Sequence, residues 1–169
     1  MDQDGTSEST KLSQRPPEVL LGVDLGLMTG LALFGGDGRL RWYRSHHFGN
    51  RDQLRRGVHG LLREIEGLRW LVLEGGGPIS DIWEHEAARR GVGLIRLSAE
   101  DWRAGFFRPG DHRDRKRAKA SAEGFARRVI DWSGVRKPAR LGHDAAEAVL
   151  IGLWGVIQVG WLSGPPVRP

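Results

Sequence analysis

Residues 19–34 read Val19-Leu20-Leu21-Gly22-Val23-Asp24-Leu25-Gly26-Leu27-Met28-Thr29-Gly30-Leu31-Ala32-Leu33-Phe34, and the fold turns on how this stretch is parsed. Val19–Asp24 is a short apolar run closed by Gly26, the pattern of a buried strand. Thr29–Phe34 is a second strand, and Gly35-Gly36-Asp37-Gly38 a tight turn after it. Leu40–His46 is a third. The connections are too short for crossovers, so the three strands pair as an antiparallel meander.

Beyond the meander, strands and helices alternate. Leu54, Val58, Leu61, Leu62 and Ile65 recur at helical spacing behind Asn50 or Asp52 as cap, which predicts a helix to about Glu66. Trp70–Leu73 is a fourth strand, ending at Glu74 and Gly75-Gly76-Gly77. Pro78 opens a helix to about Arg90, and Gly91 stops it. Gly93–Leu97 is a fifth strand. Asp114–Trp132 is a basic helix with an apolar side at Ala118, Ala122, Phe125, Val129 and Ile130, and Leu141–Trp161 a final, largely apolar helix. The order βββ-α-β-α-β-α-α implies an α/β fold: a mixed five-stranded sheet with helices on both faces, strands 1–3 antiparallel and strands 1, 4 and 5 parallel.

A chain of 169 residues suits one domain, expected over residues 18–162. Residues 1–17, polar and ending in Pro16-Pro17, read as a disordered tail, and 163–169 as a C-terminal tail. No apolar run reaches the roughly 18 residues of a membrane span, and the N-terminus lacks the basic-then-apolar pattern of a secretory signal. There is no cysteine, which excludes a disulfide framework and a thiolate metal site and fits a reducing cytoplasm.

The net charge is +5 and the pI about 10.4, which favours an anionic partner, nucleic acid first. The excess is local: Arg103–Lys119 (RAGFFRPGDHRDRKRAK) carries seven Lys/Arg against two Asp. Arg113, Arg115, Lys116, Arg117 and Lys119 are the candidate phosphate contacts. Phe106 and Phe107, an aromatic pair inside that segment, are candidates for stacking on bases, as are Trp83 and Trp102, with core packing the default for each.

Four acidic residues carry the chemistry. Taken alone, Asp24 reads as a turn aspartate and Glu74 as a solvated strand end. Asp144 and Glu147, three apart at the start of the last helix, share a face and also resemble a capping box. Together they say more. In a mixed sheet the first and fourth strands lie side by side in parallel, so Asp24 and Glu74 end at one edge, where the last helix brings Asp144 and Glu147. Clustered carboxylates repel one another unless a cation neutralises them. An all-oxygen set suits Mg²⁺ or Mn²⁺ rather than zinc, and two such ions would serve phosphodiester hydrolysis. His143, beside Asp144, is a ligand or proton shuttle only as the minor alternative to a surface or capping role.

Gly22-Val23-Asp24-Leu25-Gly26 with Thr29-Gly30, then Val72-Leu73-Glu74, then Asp144-Ala145-Ala146-Glu147-Ala148 running on through Ile151-Gly152, resemble in order and spacing the motifs of the RuvC-type Holliday-junction resolvases, within the ribonuclease H-like superfamily. The resemblance covers about residues 19–158. It implies a ribonuclease H-like fold and a homodimeric, structure-selective endonuclease that nicks branched four-way DNA and leaves 5′-phosphate and 3′-hydroxyl ends. It also implies roles: Asp24 bridging two ions, Glu74 binding one, Asp144 and Glu147 completing the set, and Lys116 and Lys119 near the scissile phosphate. Two other readings stay open. One is the same chemistry on flaps, single strands or RNA–DNA hybrids; the other is a catalytically silent nucleic-acid-binding module.

Overall fold

In a computed structural model, the structure describes residues 16–108, 115–138 and 140–169. Five strands form one sheet in the order β3-β2-β1-β4-β5. These are β1 (Val19–Asp24), β2 (Met28–Gly35), β3 (Leu40–His47), β4 (Leu68–Glu74) and β5 (Gly93–Leu97). β1, β2 and β3 pair antiparallel, while β1 with β4 and β4 with β5 pair parallel. This is the ribonuclease H-like sheet expected from the sequence. Short turns reverse the chain twice, and each parallel neighbour is then reached through a crossover helix.

Helices α1 (Arg51–Glu64) and α2 (Pro78–Arg90) cover one face. Asn50 caps α1 by accepting a bond from the Gln53 amide, and Leu54, Val58 and Leu62 point inward at four-residue spacing. Pro78 starts α2, and Gly91, in the left-handed region, ends it. This layer packs on Leu21, Val23, Leu31, Leu33, Leu71 and Leu73. Helices α3 (Ala99–Phe106), α4 (Arg115–Ser133) and α5 (His143–Gln158) cover the other face, packing on Leu20, Ala32, Phe34 and Val72. Because side chains alternate along a strand, Asp24 and Glu74 follow the parity of Leu20 and Val72 and belong to the α5 face.

α5 lies unusually close to the sheet. A Cβ on Gly22 would come 2.6 Å from the Cα of Gly152, and one on Gly30 would overlap the Asp144 carbonyl. Two strand glycines therefore let the helix that carries Asp144 and Glu147 settle on β1 and β2. Buried Thr29 closes the β1–β2 turn by donating its hydroxyl hydrogen to the Gly26 carbonyl at 2.6 Å.

Three expectations need adjusting. The segment between β5 and the basic helix, to which the sequence assigned no element, contains α3, started by a capping box in which Ser98 and Asp101 each accept from the other's backbone amide. The last helix spans His143–Gln158 rather than 141–161. Residues at the C-terminus, read as a tail, lie against the body: Val167 packs on the core and the Arg168 carbonyl accepts from Arg128 Nε at 2.9 Å. Residues 1–15 and Arg113 lie outside the described residues. Among the described residues, no helix is long and apolar enough to cross a membrane.

Candidate active site

Asp24 and Glu74 are Cα partners at the ends of two parallel strands, so the register alone puts their carboxyls side by side. α5 adds Glu147, buried one turn into the helix. Asp24, Glu74 and Glu147 each present an oxygen, all within 4.8 Å of one another. Asp144, in the first turn of α5, is not part of this trio, yet its charge is close enough to help raise the Asp24 pKa. Of the expected quartet, three carboxylates converge, and Asp144 acts on them through its charge.

The electrostatics are those of negative charge without enough cation. The Asp24 carboxyl is raised from 3.8 to about 8, first by burial, then by the charges of Glu147, Glu74 and Asp144, with Arg103 pulling the other way. Burial also raises Glu74, opposed by its hydrogen bond from Trp102. A strongly repelled, oxygen-only trio fits a hard divalent cation, since no thiolate or imidazole-rich set is present.

Helix α3 supplies two residues whose roles at the site sequence reasoning missed: Trp102, read there as a stacking candidate, and Arg103. Trp102 is fully buried, and its Nε1–H donates to Glu74 Oε2 at 2.8 Å. Arg103 donates to Glu147 Oε1 at 2.6 Å and stacks on the Trp102 ring at 4.7 Å. The Ser98-Ala99-Glu100-Asp101 capping signature just after an apolar strand was the signal that could have found this helix. His143 Nε2 stands 3.5 Å from Glu147 Oε1.

The stacking candidates change role. Trp83 and Trp102 are fully buried, and Phe106 packs edge-on against Phe125 with ring centres 5.1 Å apart. None of the three offers a free face to a base. Phe107 is half-buried and edge-on to both Trp102 and Phe125. Lys116, Arg117 and Lys119 are exposed on the first turns of α4, and Arg115 begins that helix.

These features give two expected results. Asp24 binds a proton in the native state that it would release on unfolding between pH about 4 and 8. The metal-free fold should therefore lose stability as pH rises through that window. Thermal melts in EDTA should show Tm falling from pH 5 to pH 8, with Mn²⁺ restoring more at pH 8 than at pH 5; a flat profile would contradict the buried repulsion. Arg103→Gln removes a cation that competes for Glu147, so calorimetric titration at pH 8 should show severalfold tighter Mn²⁺ binding. Weaker binding would mean that Arg103 instead holds Glu147 in its ligating position.

A ribonuclease H-like sheet with a carboxylate cluster at the C-terminal ends of its two central parallel strands defines the structural class. Within that class the chain has the fold of Holliday-junction resolvases. It is similar to RuvC of T. thermophilus, solved with a Holliday junction substrate, at TM-score 0.60 and 14% identity, covering 89% of this chain and 99% of that one. It is similar also to the Fowlpox virus resolvase, solved with substrate Holliday junction DNA, at TM-score 0.58 and 18% identity, covering 84% and 99%. No family model and no curated protein sequence matches the chain.

Proposed function

We propose that this protein is a divalent-metal-dependent endonuclease that cleaves phosphodiesters of four-way DNA junctions. The observation that carries the reading is the convergence of Asp24, Glu74 and Glu147 within 4.8 Å in a fold shared with two resolvases solved on junction DNA. Asp24, Glu74 and Glu147, with the charge of Asp144 in support, would hold Mg²⁺ or Mn²⁺, two ions in the full reading. When bound, such ions supply an activated water and stabilise the departing oxygen of the phosphodiester.

The chain's own residues do the rest. Trp102 fixes the orientation of the Glu74 carboxylate by its hydrogen bond, and the buried ring excludes water from that side. Arg103 neutralises Glu147 until a cation arrives, and its guanidinium then becomes available to a phosphate oxygen. Lys119, with Arg113, Arg115, Lys116 and Arg117, would track the strand backbone electrostatically. In-line attack by water on phosphorus forms one P–O bond and breaks the P–O3′ bond. The products are a 5′-phosphate and a 3′-hydroxyl, which takes up a proton. A homodimer would nick two opposed strands, and the cytoplasm is the expected setting.

A second reading, the same chemistry on flaps, single strands or RNA–DNA hybrids, is favoured by the burial of Trp83, Trp102 and Phe106, which removes three aromatics that could stack in a junction. Incubating labelled four-way, flap, single-stranded and hybrid substrates with Mg²⁺ or Mn²⁺ separates the two. The proposal expects the four-way junction to be cut fastest, into ligatable nicks. Preference for another substrate would reassign the specificity, and cleavage of none would leave a binding module.

A further inference from the structure

On the face opposite α5, helices α1 and α2 leave a cleft of about 690 Å³ between them. Both start at the sheet edge that bears the carboxylates. α1 follows the C-terminal end of β3, which runs in the direction of β1, and α2 follows the glycines after Glu74. At the mouth, Arg51 Nη2 donates to the Pro78 carbonyl at 3.4 Å. The cleft therefore begins at the carboxylate-bearing end of the sheet, where this bond links its two walls.

The walls carry Arg51, Arg55, Arg56 and Arg89 against Asp81 and Glu86. The Glu86 side chain is 8% exposed, and its charge is taken up by Arg90 at 2.8 Å, with His59 at 3.0 Å and Arg89 at 3.4 Å. On α1 the positive charge is largely unspent. The Arg55 ion pair is with exposed Asp52 at 3.5 Å, where water screens it. The Arg51 bond is to a neutral carbonyl, and Arg56 has no ion pair among the described residues. Arg51 and Arg55, four apart, share one side of α1. Guanidinium forks matched to oxyanions in an open cleft suit a phosphodiester backbone. A second copy of this chain docked here would have to desolvate the α1 arginines, whereas a phosphodiester backbone supplies one oxyanion for each.

We infer that the α1–α2 cleft is a second phosphodiester-binding surface, which seats an arm of duplex DNA whose scissile end lies at the carboxylates. This rests on the nuclease reading for the position of the scissile end, and the test separates the two. The variant is Arg51→Gln/Arg55→Gln/Arg56→Gln in the full chain. All three side chains are exposed, while Leu54, Val58 and Leu62 continue to anchor α1, and an unchanged Tm verifies the fold. Binding is followed in EDTA by fluorescence anisotropy over a salt series, with long-armed junctions and with junctions whose arms are too short to leave the catalytic edge.

Each lost phosphate contact lowers the log–log salt slope by about 0.9, so three should lower it by about 2.7. Long-armed DNA should bind at least about tenfold more weakly at moderate salt, and short-armed DNA should change less than about twofold. An unchanged slope, or equal loss for both arm lengths, overturns the proposal. So does polyglutamate competing as well as duplex DNA of equal charge, which would mark the cleft as a site for acidic protein. The nuclease reading fails differently: the wild-type protein would leave all substrates uncut in Mg²⁺ or Mn²⁺ while the slope change in EDTA persisted.

Discussion

Replacing Asp24 with asparagine should abolish metal-dependent cleavage while leaving junction binding intact or tighter. Asp24 pairs with Glu74 across the parallel strands and shares the cluster with Glu147 on α5, and the charges of Glu147, Glu74 and Asp144 all act upon it. Mutating residues that merely support metal ligands typically costs 10–100-fold in affinity or activity. Losing a ligand at the centre should cost on the order of 10³-fold or more. Binding should survive because one negative charge is removed from a surface that meets phosphates. A second consequence runs the opposite way. With the carboxyl raised to about 8 by burial and by its acidic neighbours, the neutral amide relieves repulsion. Metal-free Asp24→Asn should therefore melt higher than wild type at pH 8 and lose that advantage toward pH 5. Gel assays, anisotropy and melts in EDTA check the three parts; cleavage at the wild-type rate would contradict the assignment of Asp24.

Gly30→Ala should be the most damaging single methyl in the molecule. The added carbon would overlap the backbone carbonyl of Asp144 and press on the Ala148 Cβ. Neither strand nor helix backbone can swing aside as a flexible side chain does, so α5 must move and take Glu147 with it. Overpacking of this kind costs about 1–3 kcal/mol and sometimes more, and backbone-on-backbone overlap belongs at the upper end. A Tm drop of roughly 6–12 °C corresponds to about 3 kcal/mol in a domain of this size, accompanied by loss of metal affinity. Gly60→Ala is the control. A Cβ there meets nothing within 4 Å, and an alanine inside α1 should stabilise by about 0.8–1 kcal/mol. If both variants melt like wild type, the close seating of α5 on β2 is wrong.

Most of the sheet was legible because its signals are local. Apolar runs of strand length, turns too short to cross over, and glycines at the breaks leave one way to order the strands. The pairing of Asp24 with Glu74 followed from that order alone, since both close apolar strands that run side by side. The last helix was legible as apolar but not in depth. Its three-residue acidic spacing says that Asp144 and Glu147 share a face, not that Glu147 is the one that joins the converging trio. How close the helix lies is set where Gly22 and Gly30 let it settle on the sheet, a tertiary contact between segments more than a hundred residues apart. Helix α3 was obscured by charge. Arg103 opened the segment singled out for its excess positive charge, yet it turns inward to Glu147, and Trp102 gives its indole N–H to Glu74. The same helix buries Phe106, because a helical turn directed its ring to Phe125 rather than outward.

The most direct test is to soak crystals with Mn²⁺ at pH 8 and measure anomalous scattering near the Mn absorption edge. The account predicts at least one strong peak bounded by Asp24, Glu74 and Glu147, with carboxylate oxygens moved to about 2.1 Å from it and Arg103 displaced from Glu147. Density that shows the three carboxylates unchanged, Arg103 still paired with Glu147 and no peak among them at millimolar Mn²⁺ would contradict the claim that these side chains form a metal centre.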